Sequence, residues 1–196
     1  MQLILASQSP YRKKQMEDFG LSFKAIKPLF DEDSLKKLKI SPEKLAARLS
    51  FEKAKSISEK HPEAWVIGSD QLVALGSKIL GKPGSRQKAI SQLSEMNGRS
   101  HRLITAVCLL GPNGKKFEDT VVAKIKMRKL TRQEILAYVY RDKPYDCAGA
   151  YRFESGGYSL VEKMIVSDPS SLMGLPMIAL GTLLRKTKEH IPFKGK

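Results

Sequence analysis

A short apolar run that feeds directly into a Ser-Pro helix start constrains this chain more than any other feature. Leu3-Ile4-Leu5-Ala6 is too short and too continuously apolar for an amphipathic helix, and it reads as a strand buried on both faces. Ser9 then offers an N-cap and Pro10 a first-turn residue, so a helix begins there, with Met16 and Phe19 inward and Gly20 as its stop. The same grammar recurs. Residues 23–29 read as a second strand ending in the acidic turn Asp31-Glu32-Asp33, and Ser41-Pro42 opens a helix to about residue 60 with Leu45, Leu49 and Ile57 on its apolar stripe. Trp65-Val66-Ile67-Gly68 reads as another buried strand, broken at Ser69-Asp70-Gln71 and resumed at 72–75.

The second half adds antiparallel signals. Ser85 caps a helix closed by Gly98, and residues 102–110 form a strand. Pro112-Asn113-Gly114 turns the chain into a returning strand over 116–129, where Lys124, Lys126 and Arg128 alternate with Ala123, Ile125 and Met127. Thr131 and Glu134 form a capping box for a helix over 132–140, residues 159–166 read as a last strand, and Leu175-Pro176 leads into a closing helix to about 186. Strands alternating with helices around an inserted hairpin predict an α/β fold with a mixed sheet.

Composition removes several classes. With 41% hydrophobic and 28% charged residues, the chain is not disordered, and its apolar runs are too short for a membrane span. The N-terminus lacks the basic and apolar regions of a signal peptide. Cys108 and Cys147 stand far apart, which argues against a disulfide framework or zinc site and for a reducing, cytoplasmic setting. Thirty-five Lys and Arg against twenty Asp and Glu give a net charge of +15, so anionic ligands are expected. The basic residues are spread out, densest over 124–129 and 185–196, with no interleaved aromatics, which argues against nucleic acid as the main partner.

Four places carry chemistry. Ser7-Gln8-Ser9-Pro10-Tyr11-Arg12-Lys13 places hydroxyls and cations at a helix N-terminus, which is an anion site or an ordinary cap with solvated cations. Asp70 follows a buried strand, where a carboxylate serves as general base or metal ligand, or as a turn former. Lys82 lies between Gly81 and Pro83, which fix its backbone, and Lys53 lies on a partly apolar helix face, as a snorkelling lysine also would.

The segments Leu3 to Lys13, Val66-Ile67-Gly68-Ser69-Asp70-Gln71, Ile79-Leu80-Gly81-Lys82-Pro83 and Met96-Asn97-Gly98-Arg99-Ser100-His101 resemble the signatures of the Maf family, in order and with its spacing. Thr105-Ala106-Val107, Ala148-Gly149 and Gly174-Leu175-Pro176 match as well. The resemblance implies a Maf/ITPase-like fold: one domain over residues 1–196, with an elongated mixed β-sheet flanked by helices and two lobes around a central cleft. It implies a cytoplasmic nucleotide pyrophosphatase that cleaves a nucleoside triphosphate between the α- and β-phosphates with a divalent metal (Mg, Mn or Co). A homodimer is compatible with it, and a membrane partner is not.

Roles implied by the resemblance follow position by position. Asp70 matches the proton acceptor; Ser7, Arg12, Lys53 and Lys82 match phosphate contacts; and Glu32, with Asp70, matches a metal-holding position. Lys13 stands where the family has a second Arg, keeping the charge and losing the bidentate fork. The specificity positions are Tyr11, Gln71 and Glu154, which resemble the aromatic, Gln and Glu of the 7-methyl-GTP branch rather than the Arg, Thr and Gln of the dTTP/UTP branch. Phe153 and Ser155 depart from that branch around Glu154. An aromatic face and a carboxylate suit a base made cationic by N7-methylation. The competing readings are dTTP/UTP hydrolysis and a basic nucleotide-sensing or nucleic-acid-binding regulator of cell division.

Overall fold

In the computed structural model, which describes residues 1–36 and 38–193, the first apolar run is strand β1 (Leu3–Ala6), buried throughout. Ser9 caps helix α1 (Pro10–Asp18) as its chemistry predicts, and Gly20 then takes a left-handed φ of 80°. The expected strand over 23–29 contracts to β2 (Lys24–Ile26), which pairs parallel with β1. Helix α2 (Glu32–Lys36) precedes α3 (Pro42–Ser58), capped by Ser41 and burying Leu45, Leu49, Ala54 and Ile57.

β3 (Trp65–Leu75) corrects the sequence reading: it is one unbroken strand, so Asp70 lies in its middle and not at its end. Ser69-Asp70-Gln71 resembles a turn only by composition. β3 lies between β1 and β5 (Ser100–Leu110) in the sheet, paired with β1 over 65–67 and with residues 78–80 over 73–75, and a strand held at both ends overrides the local preference. The remaining elements are β4 (Lys78–Leu80), α4 (Arg86–Met96), β6 (Lys116–Met127), α5 (Arg132–Asp142), β7 (Val161–Ile165) and α6 (Met177–Lys186). The expected strand over 159–166 begins later, because residues 157–160 form a 3-10 turn. The sheet has seven strands in the order β2-β1-β3-β5-β6-β7, with β4 on β3, and it mixes parallel and antiparallel pairs.

The chain divides into two compact units. The first holds residues 1–70, 105–121 and 168–196 as far as they are described; the end of the basic tail, 194–196, lies outside the described residues. Its core includes Ile4, Ala6, Ala54, Ile57, Val66 and Cys108. Burial drives the Cys108 thiol up to about 12, which leaves it an inert apolar side chain. The second unit holds residues 71–104 and 122–167. There α4 packs on α5, and Leu93, Met96, Ile104, Ile125, Ile135 and Val139 are buried. Among the described residues no helix is long and apolar enough to cross a membrane.

Candidate functional site

In the first unit, β1 delivers Ser7 to the start of α1. The Ser9 backbone N–H donates to Ser7 Oγ at 3.1 Å, and Ser9 Oγ accepts from the Arg12 N–H at 3.4 Å. Both hydroxyls are thereby held beside the helix N-terminus, where the early N–H groups and the dipole favour an anion. Arg12 Nε donates to the Gly174 carbonyl at 2.7 Å, which fixes the plane of the guanidinium. Gly174 reaches this position with φ of 97°, and a Cβ there would lie 3.3 Å from Arg12 Nε. Burial lowers the Arg12 pKa, against the opposing pull of Asp70 and Glu32. A guanidinium losing its water beside carboxylates is suited to an anionic ligand.

The second element of the site is an ion-pair node. Lys53 Nζ lies 2.6 Å from Asp70 Oδ1 and 3.1 Å from Glu32 Oε1. The Lys53 and Asp70 side chains are each 10% exposed, whereas Glu32 is 38% exposed. The close approach of α3 to β3 makes this possible: a Cβ on Gly68 would collide with the Ser50 carbonyl and come within 2.7 Å of Ala54 N. Only glycine lets the helix bearing Lys53 sit that close to the strand bearing Asp70. Lys53 is therefore not a snorkelling surface lysine but the shared partner of two carboxylates.

The Glu32 and Asp70 carboxylates, expected to hold a metal, converge on one cationic centre that the ammonium supplies here. Two hard oxygen donors fit a divalent cation that keeps several waters. Among the described residues no group of three or more His, Cys, Asp and Glu forms a fuller metal cage.

Tyr11 and Lys13, both half-buried, also belong to the first unit. Gln71, Lys82 and Glu154 belong to the second. There Lys82 is exposed on a loop tied at both ends, by Gln92 Nε2 donating to Gly81 O at 3.0 Å and by Gly84 N–H donating to Tyr145 O at 2.8 Å. Glu154 is exposed, yet desolvation by its surroundings raises its carboxyl above the ordinary range. Its loop is braced. The Tyr151 hydroxyl meets His101 Nε2 at 2.8 Å, Arg152 N–H donates to the Tyr138 hydroxyl at 3.1 Å, and Gly156 N–H donates to Asp142 Oδ2 at 2.9 Å. Phe153, where the sequence departs from its branch, is buried edge-on to Tyr151 and against Tyr158, with ring centroids 5.3 and 4.8 Å apart.

Sequence reasoning assigned no role to Ser69 or Gly174. Ser69 Oγ is fully buried, 2.8 Å from the Ala106 carbonyl and 2.9 Å from that of Gly174. Gly174 O thus meets both Arg12 and the residue preceding Asp70. Each lay in a matching segment, Ser69 in Val66-Ile67-Gly68-Ser69-Asp70-Gln71 and Gly174 in Gly174-Leu175-Pro176, without a function of its own.

The family model described as Maf-like protein matches residues 2–187. A protein named 7-methyl-GTP pyrophosphatase from Cupriavidus pinatubonensis is 43% identical over 186 residues, covering 94% of this chain and 92% of its own. One of the same name from Bdellovibrio bacteriovorus is 41% identical over 183 residues, covering 93% and 95%. Among solved structures, the Ham1 protein of Staphylococcus aureus shares the fold with a TM-score of 0.56 at 12% identity, covering 96% of this chain and 98% of its own. A HAM1 protein from Coxiella burnetii gives 0.51 at 15%, covering 95% and 99%.

Proposed function

The chain belongs to the Maf family, and from that premise we propose that it hydrolyses 7-methyl-GTP between the α- and β-phosphates, releasing 7-methyl-GMP and pyrophosphate, as a safeguard against modified nucleotides. It is a nucleotide pyrophosphatase; the methylated guanine is the proposed part. The observation that carries the reading is the Asp70 carboxylate held 2.6 Å from Lys53 in the same unit as the Ser7, Ser9 and Arg12 anion site.

In the proposed reaction the triphosphate docks on the N-terminus of α1 and on the oriented Arg12 guanidinium, with Lys13 and Lys82 adding charge. Lys53 gains a phosphate as an additional anionic partner, which weakens its hold on Asp70. Asp70 Oδ1 then accepts the proton of the attacking water, and the Arg12 and Lys82 cations offset the charge that builds on the departing pyrophosphate. A divalent ion held by Glu32 and Asp70 would supply charge neutralisation of the phosphates. Tyr11 provides an aromatic face for the cationic base, while Gln71 and the Glu154 carboxylate accept from guanine N1–H and N2–H₂ or offset its charge.

A pyrophosphate-release screen over 7-methyl-GTP, GTP, dTTP and UTP, with and without Mg, Mn and Co, tests this. The reading expects the highest kcat/KM for 7-methyl-GTP and turnover only with metal. Preference for dTTP or UTP overturns the substrate, and nucleotide binding without pyrophosphate release overturns hydrolysis in favour of a sensor.

A further inference from the structure

The fold gathers in the second unit a set of cations that the sequence spreads over sixty-odd residues. A hollow of about 470 Å³ is lined by Arg102 from β5, Lys124 and Lys126 from β6, and Lys163 and Ile165 from β7, with Ala74 and Ser100. Among the described residues no Asp or Glu lines it. The alternation along β6 explains the lining: Ile125 and Met127 are buried while Lys124 is exposed and Lys126 half-buried, so the two lysines share the sheet's open side.

The register sharpens the picture. Lys126 lies directly opposite Lys163 across the antiparallel β6–β7 pair. Like charges directly opposed across strands destabilise a sheet. Lys126 Nζ donates to the Gly98 carbonyl at 2.7 Å, and Arg102 Nη2 donates to the Gly76 carbonyl at 3.0 Å. These carbonyl bonds orient the two cations. A lysine on an edge strand often serves to deter edge-to-edge pairing, and β7 is the sheet's edge. That role accounts for Lys163 alone. It does not account for Lys124 and Lys126 on β6 or Arg102 on β5, which are interior strands.

We propose that this open sheet face is a second binding surface, separate from the residues assigned to hydrolysis, and that it takes the phosphate backbone of single-stranded nucleic acid. Cations at alternate positions along β6 stand about 7 Å apart, a spacing that follows a chain of repeating charges better than one compact anion. A hollow without carboxylates concentrates positive potential, and the chain's +15 net charge favours polyanion approach. Among the described residues no Phe, Tyr or Trp lines the face to stack bases, and His101 there is buried and bonded to the Tyr151 hydroxyl, so binding is backbone-directed and indifferent to sequence.

The test is anisotropy of a fluorescent single-stranded oligonucleotide titrated with the full-length protein across a salt series, using Lys124→Gln/Lys163→Gln and a control pair of exposed lysines, Lys60→Gln/Lys115→Gln. Releasing counterions from three or four phosphates predicts a slope of log K on log salt of roughly −2 to −3 for the wild type. The Lys124→Gln/Lys163→Gln variant should lose about 1.4 of that slope and about tenfold or more in affinity at 0.1 M salt. Pyrophosphate release should be unchanged in both variants. An equal loss in the control pair, or none in either, overturns the proposal, because binding is then diffuse charge or lies elsewhere. Equal competition by poly-glutamate of matched charge also overturns it, because the face then recognises carboxylates rather than phosphates.

Discussion

Lys53 Nζ lies 2.6 Å from Asp70 Oδ1 with both side chains nine-tenths shielded from water, and Glu32 Oε1 lies 3.1 Å away on the more exposed side of the same ammonium. Asp70 is therefore a carboxylate held by one close cation, the arrangement from which a base is released when that cation finds a competing anion. Asp70→Asn keeps the shape and removes the basicity. Its kcat for pyrophosphate release should fall on the order of 10² or more while circular dichroism stays native. Near-normal turnover would remove Asp70 from the chemistry.

Arg12 anchors through Nε to the Gly174 carbonyl at 2.7 Å, so its effect depends on guanidinium shape as well as charge. Arg12→Lys should lose about tenfold or more in kcat/KM on every nucleotide tested, because an ammonium cannot hold the carbonyl and fork onto a phosphate together. Steady-state kinetics on purine and pyrimidine triphosphates decide it. A loss confined to one base would make Arg12 a base reader.

Glu154 is raised above the ordinary carboxylate range by desolvation. Glu154→Gln should reduce kcat/KM for 7-methyl-GTP about tenfold to a hundredfold relative to UTP, since one amide N–H₂ then faces a donor in the base. In the wild type the charged form is lost as pH falls through the raised value, so preference for 7-methyl-GTP should weaken at a higher pH than an unperturbed Glu would allow. An unchanged substrate ratio in the variant rejects base reading.

His101 is buried against Tyr151, and burial lowers its pKa to about 4. The unfolded chain binds that proton near pH 6.5 and the folded chain only near 4, so stability is full above about 6.5 and falls as pH drops between the two values. The loss contributed by this one group is about 3 kcal/mol at most. Chemical denaturation from pH 7 to 4.5 should show a shallower decline for His101→Gln than for the wild type; parallel curves would overturn the assignment.

Four helix starts were legible because each is a local contract between a hydroxyl and the N–H group three residues on, at Ser9, Ser41, Ser85 and Thr131. The family signatures likewise lie in short contiguous segments. Asp70's place was not legible, because Ser69-Asp70-Gln71 looks like a turn until pairing on either end of it, with β1 and with β4, carries the strand through. The hold on Arg12 was hidden for a different reason: its carbonyl partner is 162 residues away, and no local pattern encodes a backbone oxygen. Lys53 and Asp70 were each named, yet their meeting depends on how closely α3 approaches Gly68.

The unbroken course of β3 also bears on how this enzyme fails. Asp70 lies in mid-strand, three residues beyond the last pairing with β1 at Ile67 and three before the first with β4 at Val73, so fraying from either end of β3 does not reach it. In hydrogen–deuterium exchange the segment around Asp70 should be among the slowest, exchanging only through cooperative opening. Heat inactivation should then coincide with the unfolding midpoint, leaving no warm, folded and catalytically silent interval.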